Sequence, residues 1–124
     1  MKSKKLIALF TYLIVFIGCK EQNNDIICTL EFVYGLNITL IDAETSKPIE
    51  GNVKVVIKDG NYEEVLQGVE SGIPFFGAGE RSGTYTITIT SNNYKTFVSN
   101  PIVVTANECH VITVTKTFNL ERKI

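Results

Sequence analysis

The sequence predicts an all-β domain behind a short apolar leader, and three observations carry that expectation. Beyond Asp25, apolar and polar residues alternate with period two almost throughout, and nowhere do apolar residues recur at helical spacing for more than about a turn. Turn-forming clusters such as Asp59-Gly60-Asn61, Ser82-Gly83 and Ser91-Asn92-Asn93 punctuate these runs at short intervals. The 124 residues suit one domain, and a composition 44% hydrophobic and 20% charged is too apolar for disorder and too interrupted for a polytopic membrane protein.

Taken in order, the runs place strands at about 28–32, 36–41, 53–58, 62–67, 73–77, 84–90, 96–104 and 110–120. That is seven or eight strands, spaced as in a sandwich. Leu36, Ile38 and Leu40 alternate with Asn37 and Thr39, and Val53, Val55 and Ile57 with Asn52, Lys54 and, less well, Val56, as half-buried strands do. Tyr85, Ile87 and Ile89 oppose Thr86, Thr88 and Thr90 in the cleanest alternation of the chain. Asp59-Gly60-Asn61 predicts a tight hairpin, because Asp-Gly tolerates positive φ. Pro48, Pro74 and Pro101 fall at strand starts or in loops, where a missing N–H does no harm. In the last strand Ile112, Val114, Phe118 and Leu120 should face inward, with Lys116 in phase and reaching solvent at a sheet end or edge. Cys109 would then be out of phase with Ile112, which a bulge or a later strand start would resolve.

The leader has its own logic. Lys2-Ser3-Lys4-Lys5 is a basic n-region, and Leu6 to Ile17 is an apolar run relieved only by Thr11 and Tyr12. About a dozen residues fall short of the roughly 20 needed to cross a bilayer, so a cleaved signal is expected. Phe16-Ile17-Gly18-Cys19 resembles a bacterial lipobox, which implies cleavage after Gly18 and acylation of Cys19. The alternative is an ordinary secretory signal with an incidental cysteine. Lys20 to Asp25 is wholly polar and reads as a short tether. By resemblance to lipoprotein sorting rules, Lys20 after the cysteine implies the outer membrane, facing periplasm or medium. The expected organisation is therefore 1–18 signal peptide, 19–27 lipidated cysteine and tether, and 28–124 sandwich.

With three of the twelve basic residues in that n-region, the chain beyond it holds nine against thirteen acidic ones, a balance that argues against nucleic-acid binding. Cys28 and Cys109 remain as an even pair at opposite ends of the exported domain, where a disulfide is chemically permitted. The alternatives are two buried free thiols or, with His110, an incomplete metal site.

Leu36 to Val53, with Asp42-Ala43-Glu44-Thr45-Ser46-Lys47-Pro48-Ile49 at its centre, resembles the opening of carboxypeptidase regulatory-like domains, in which Gly is usual where Ser46 stands. Ser82-Gly83-Thr84-Tyr85-Thr86-Ile87 and Asn93-Tyr94 continue the likeness: a turn before a tyrosine-led strand, then a residue tolerant of left-handed backbone before an aromatic that folds back on the sheet. A bacterial lipoprotein subgroup of these domains is closer still, through Cys28, Asp59-Gly60-Asn61-Tyr62, Gly77-Ala78-Gly79-Glu80-Arg81-Ser82-Gly83-Thr84-Tyr85 and Cys109-His110-Val111. The likeness spans roughly 28–120. It implies a seven-stranded Greek-key transthyretin-like sandwich with a Cys28–Cys109 bridge, and it implies no particular activity.

Candidate chemistry is sparse. His110 with Glu108 and Cys109 could suggest a thiol site, but sequence neighbours on a strand point to opposite faces. Glu63-Glu64 and Glu80-Arg81 read as solvated or turn-capping charges, and Asn37-Ile38-Thr39 as a chance glycosylation match. Phe75 and Phe76, adjacent on a strand, should face opposite ways, so that one could be exposed as a partner surface. The expectation is a non-enzymatic, cofactor-free lipoprotein, held to the membrane through its lipid and carrying a binding or spacer module for an envelope protein or glycan. The alternative is a small envelope hydrolase with an unrecognised site.

Overall fold

A computed structural model describes residues 18, 25–49, 51–66 and 74–124. The described residues are all-β: β1 (Tyr34–Asp42), β2 (Val53–Asp59), β3 (Tyr62–Leu66), β4 (Phe75–Gly79), β5 (Gly83–Ser91), β6 (Phe97–Val98), β7 (Ile102–Val104) and β8 (Val114–Leu120). They form two sheets. The first has the order β4-β1-β8, with β1–β4 antiparallel and β1–β8 parallel from Leu36↔Val114 to Asp42↔Leu120. The second has the order β3-β2-β5, with β6 and β7 both paired to the far side of β5.

The alternating runs fold as their period requires. Leu36, Ile38 and Leu40 of β1, Val55 and Ile57 of β2, and Tyr85, Ile87 and Ile89 of β5 turn inward and form the core between the sheets. β2 and β3 join through a two-residue loop closed by Asp59↔Tyr62, in which Gly60 takes φ 57° as the expected hairpin requires. Lys116, in phase with the buried residues of β8, is exposed because β8 borders its sheet.

Three expectations differ from what forms. No strand forms at 28–32, which is irregular and lies outside both sheets. The 96–104 run is broken: Thr88 pairs with Val98 but Tyr85 pairs with Ile102, so the strand gains one residue against β5. Ser99 repairs the gap by donating its N–H to the Ile87 carbonyl (2.8 Å) and accepting the Ile87 N–H on Oγ (2.9 Å). The last strand starts at Val114, and Val111, not Ile112, is buried. The later start removes the phase conflict at Cys109.

Asp42 closes the sheet end opposite the leading segment. Its Oδ1 accepts the N–H groups of Glu44 (2.8 Å) and Thr45 (3.2 Å), while Oδ2 accepts the Tyr94 hydroxyl (2.9 Å) and the Arg122 guanidinium. One buried carboxylate thus ties the end of β1, the following turn, the Tyr94 loop and the segment after β8. Tyr94 folds back into the core as the sequence suggests, although Asn93 before it lacks a positive φ. Burial alone raises the Asp42 pKa, but Arg122, the two backbone amides and Tyr94 outweigh it and hold the group down at about 2.

Two outcomes follow. Because the folded pKa lies below the ordinary value of about 4, stability supplied by ionised Asp42 is complete above that value and is lost as pH falls toward 2. Asp42→Asn should flatten the decline in thermal midpoint between about pH 5 and pH 2, and should lower the midpoint at pH 7. Ser46 sits in the same turn at φ 57°, a left-handed conformation costing a non-glycine residue about 1 kcal/mol, so Ser46→Gly should raise the unfolding free energy measured by denaturant titration by up to about that amount.

Candidate functional site

The end of the sandwich at which the leading segment arrives is held by a disulfide and a carboxylate. Cys28 and Cys109 are disulfide-bonded, with Cα atoms 5.2 Å apart and a separation of 81 positions in sequence. Asn107 builds the turn that presents Cys109. Its Oδ1 accepts the N–H groups of Cys109 and His110, both at 2.9 Å, and its own N–H donates to the His110 carbonyl (2.9 Å).

Glu80 secures the same segment a second time. Its Oε1 accepts the Val33 N–H (2.8 Å) and its N–H donates to the Val33 carbonyl (2.8 Å), from a backbone at φ 47°. The Val33 amide lowers the Glu80 pKa more than any other cause, against a smaller rise from burial and with a further lowering from His110. His110 Nδ1 lies 2.8 Å from the same Oε1 and Nε2 lies 3.1 Å from Thr29 Oγ1. A carboxylate can only accept, so Nδ1–H donates to Glu80, and Nε2 of a neutral ring then accepts from Thr29. Nε2 therefore meets the leading segment directly and Nδ1 meets the carboxylate that holds it, and the adjacent sulfur is half of a disulfide.

The charged pairs expected to be solvated also hold structure together. Glu64 Oε2 accepts the Tyr62 hydroxyl (2.7 Å) and the Ala78 N–H (3.1 Å), linking β3 to β4 across the two sheets. That hydrogen bond, aided by burial, pushes the Tyr62 phenol up to about 12. Arg81 pairs with Asp59 (2.9 Å), donates to the Tyr85 hydroxyl (2.9 Å), and lies 3.9 Å from the Tyr62 ring centroid. Glu63 is solvated as the sequence suggests, in an exposed pair with Lys58 at 3.5 Å. Asn37 of the sequon lies inside the central strand β1, away from any loop.

No family model matches the chain, and no curated protein is significantly similar to it. Cys19 lies outside the described residues. Among the described residues no group of three or more His, Cys, Asp and Glu side chains is placed to hold a metal ion, and no helix is long and apolar enough to cross a membrane.

Of the two phenylalanines singled out from sequence, Phe75 faces the core at 8% exposure and Phe76 faces outward at 40%. Phe76 is not isolated. Its ring centroid lies 5.4 Å from that of Tyr34, and Tyr34 lies 5.1 Å edge-on from Phe32, giving an exposed aromatic strip. Phe32 covers the backbone of Gly79, where a Cβ would collide with its ring. Phe32 and Tyr34 escaped sequence reasoning because Phe32 was expected inside a strand and Tyr34 lay in the gap before the next. Their i, i+2 spacing was the available signal.

The bridge closes an 81-residue loop, for which chain entropy gives about 4.5 kcal/mol as an upper figure. Cys28→Ser and Cys109→Ser should each lower the thermal midpoint, by well over 10 °C at that upper figure, and the double variant should lose no more than either single one. Thermal unfolding followed by circular dichroism checks this.

Proposed function

We propose that the mature protein begins at acylated Cys19 and is a membrane-anchored, non-catalytic lipoprotein of the bacterial cell envelope, its sandwich serving as a binding or spacer module. The observation that carries this reading is the Cys28–Cys109 bridge. It suits an oxidising compartment, and it fastens the segment that follows the proposed tether to the turn before β8. Load arriving from an anchor at residue 19 would meet a covalent crosslink within ten residues, before it reached β1. Two or three acyl chains would make the attachment lasting, since each buried methylene contributes about 0.8 kcal/mol.

The engagement of His110 by Glu80 and Thr29, and of Cys109 by Cys28, supports a structural part for the residues that a thiol or histidine hydrolase would have used. We further propose that the fold is the seven-stranded Greek-key transthyretin-like sandwich of carboxypeptidase regulatory-like domains. The pairing of β6 and β7 to one side of β5, offset by one residue, supports reading them as a single interrupted strand.

Mass spectrometry of the mature protein from the membrane fraction tests the anchor: a diacylated or triacylated Cys19 is expected, and an unmodified cysteine or a soluble product cut elsewhere would overturn it. Turnover in a panel of esters, peptides and glycosides that is lost in His110→Ala would overturn the non-catalytic reading in favour of a small hydrolase.

A further inference from the structure

Around the bridge, the domain presents apolar side chains to solvent that its own core does not need. Ile27 is 90% exposed and Leu30 fully so, on the segment held by Cys28, Thr29 and Val33. Phe32 at 61%, Tyr34 at 42% and Phe76 at 40% continue the surface as rings in mutual contact. Single exposed apolar residues are ordinary, but five within one crosslinked segment and the strands it meets, three of them rings in contact, mark a contact surface.

We propose that this surface lies against the lipid bilayer, with Ile27, Leu30 and Phe32 at the boundary between headgroups and acyl chains and Tyr34 and Phe76 at headgroup level. The inference rests on the anchor reading. Only six peptide units separate Cys19 from Asp25, so a lipid on Cys19 keeps Asp25, where the leading segment begins, within about 20 Å of the membrane whatever path the chain takes. The bilayer is therefore the apolar partner always at hand, and tethering turns a weak partition into an intramolecular one. Tyrosine suits such a boundary because its ring is apolar and its hydroxyl stays wet. Asp25, Glu31, Glu80 and Glu108 lie on the same segment or beside it, which favours zwitterionic over anionic headgroups.

The test is hydroxyl-radical footprinting, read by mass spectrometry, of the lipidated mature chain on phosphatidylethanolamine–phosphatidylcholine vesicles and of the Cys19→Ser chain in solution. Oxidation of Leu30, Phe32, Tyr34 and Phe76 should fall several-fold on vesicles, while exposed Val98 and Val103 of the other sheet should be unchanged. Leu30→Glu, at a side chain with no packing to lose, should restore much of the oxidation at its neighbours. Equal oxidation on vesicles and in solution would overturn the proposal. So would protection that grows with protein concentration in the soluble chain, which would mean that a second copy covers the strip. Should Cys19 prove unmodified, the anchor reading fails separately, and the surface is then tested with a chain held by an N-terminal histidine tag on vesicles bearing a nickel-chelating lipid.

Discussion

The parallel pairing of β1 with β8 is the constraint on which the rest of this sandwich depends. Parallel neighbours cannot be joined by a hairpin, and here the crossover is long: among the described residues every other strand is laid down between β1 and β8. Such a pair gains its hydrogen bonds only after the intervening chain is organised, so its ends are where fraying would begin. Both ends are fastened. At one, Asp42 binds Arg122 from the segment that follows β8. At the other, Cys28 is bonded to Cys109, and the Thr113 hydroxyl donates to the Tyr34 carbonyl (2.7 Å).

The two fastenings differ in kind. The Asp42 cluster is a buried carboxylate whose desolvation is offset by four donors from three places in the chain, so its strength depends on all of them being in position together. The disulfide acts largely on the unfolded chain and tolerates movement around it. A permanent crosslink thus holds the end at which the leading segment arrives, and a cooperative polar cluster holds the far end.

The strands with strict alternation, β1, β2 and β5, and the Gly60 hairpin were legible in the sequence because each is decided by local pattern and turn chemistry. The interrupted edge was not, because Ser99-Asn100-Pro101 looks locally like a strand with a proline, and only the register of β5 shows where the extra residue goes. The late start of β8 was hidden for a similar reason: Asn107 turns the chain with one side-chain oxygen, and Val111 takes the buried place that alternation had given to Ile112. Glu64, Glu80 and Arg81 read as solvated or turn-capping charges since their partners, Ala78, Val33 and Asp59, are joined to them by the fold. At the candidate site the cysteine pair was legible from the expected export, the even count left after Cys19 and the resemblance to the lipoprotein subgroup. The aromatic strip was not, because it arises where an irregular segment meets two strands.

The central claim is that two independent fastenings hold the ends of the β1–β8 pair, and that the one at the leading end can open without the other. Native-state amide hydrogen exchange on the oxidised and the disulfide-reduced protein tests it most directly. After correction for the change in global stability, reduction should speed exchange at Val33 and across 106–112 at least about tenfold, while the amides joining β1 to β8 keep a common slowest rate. Unchanged exchange at Val33, or rapid exchange of β8 while β1 stays protected, would contradict the account.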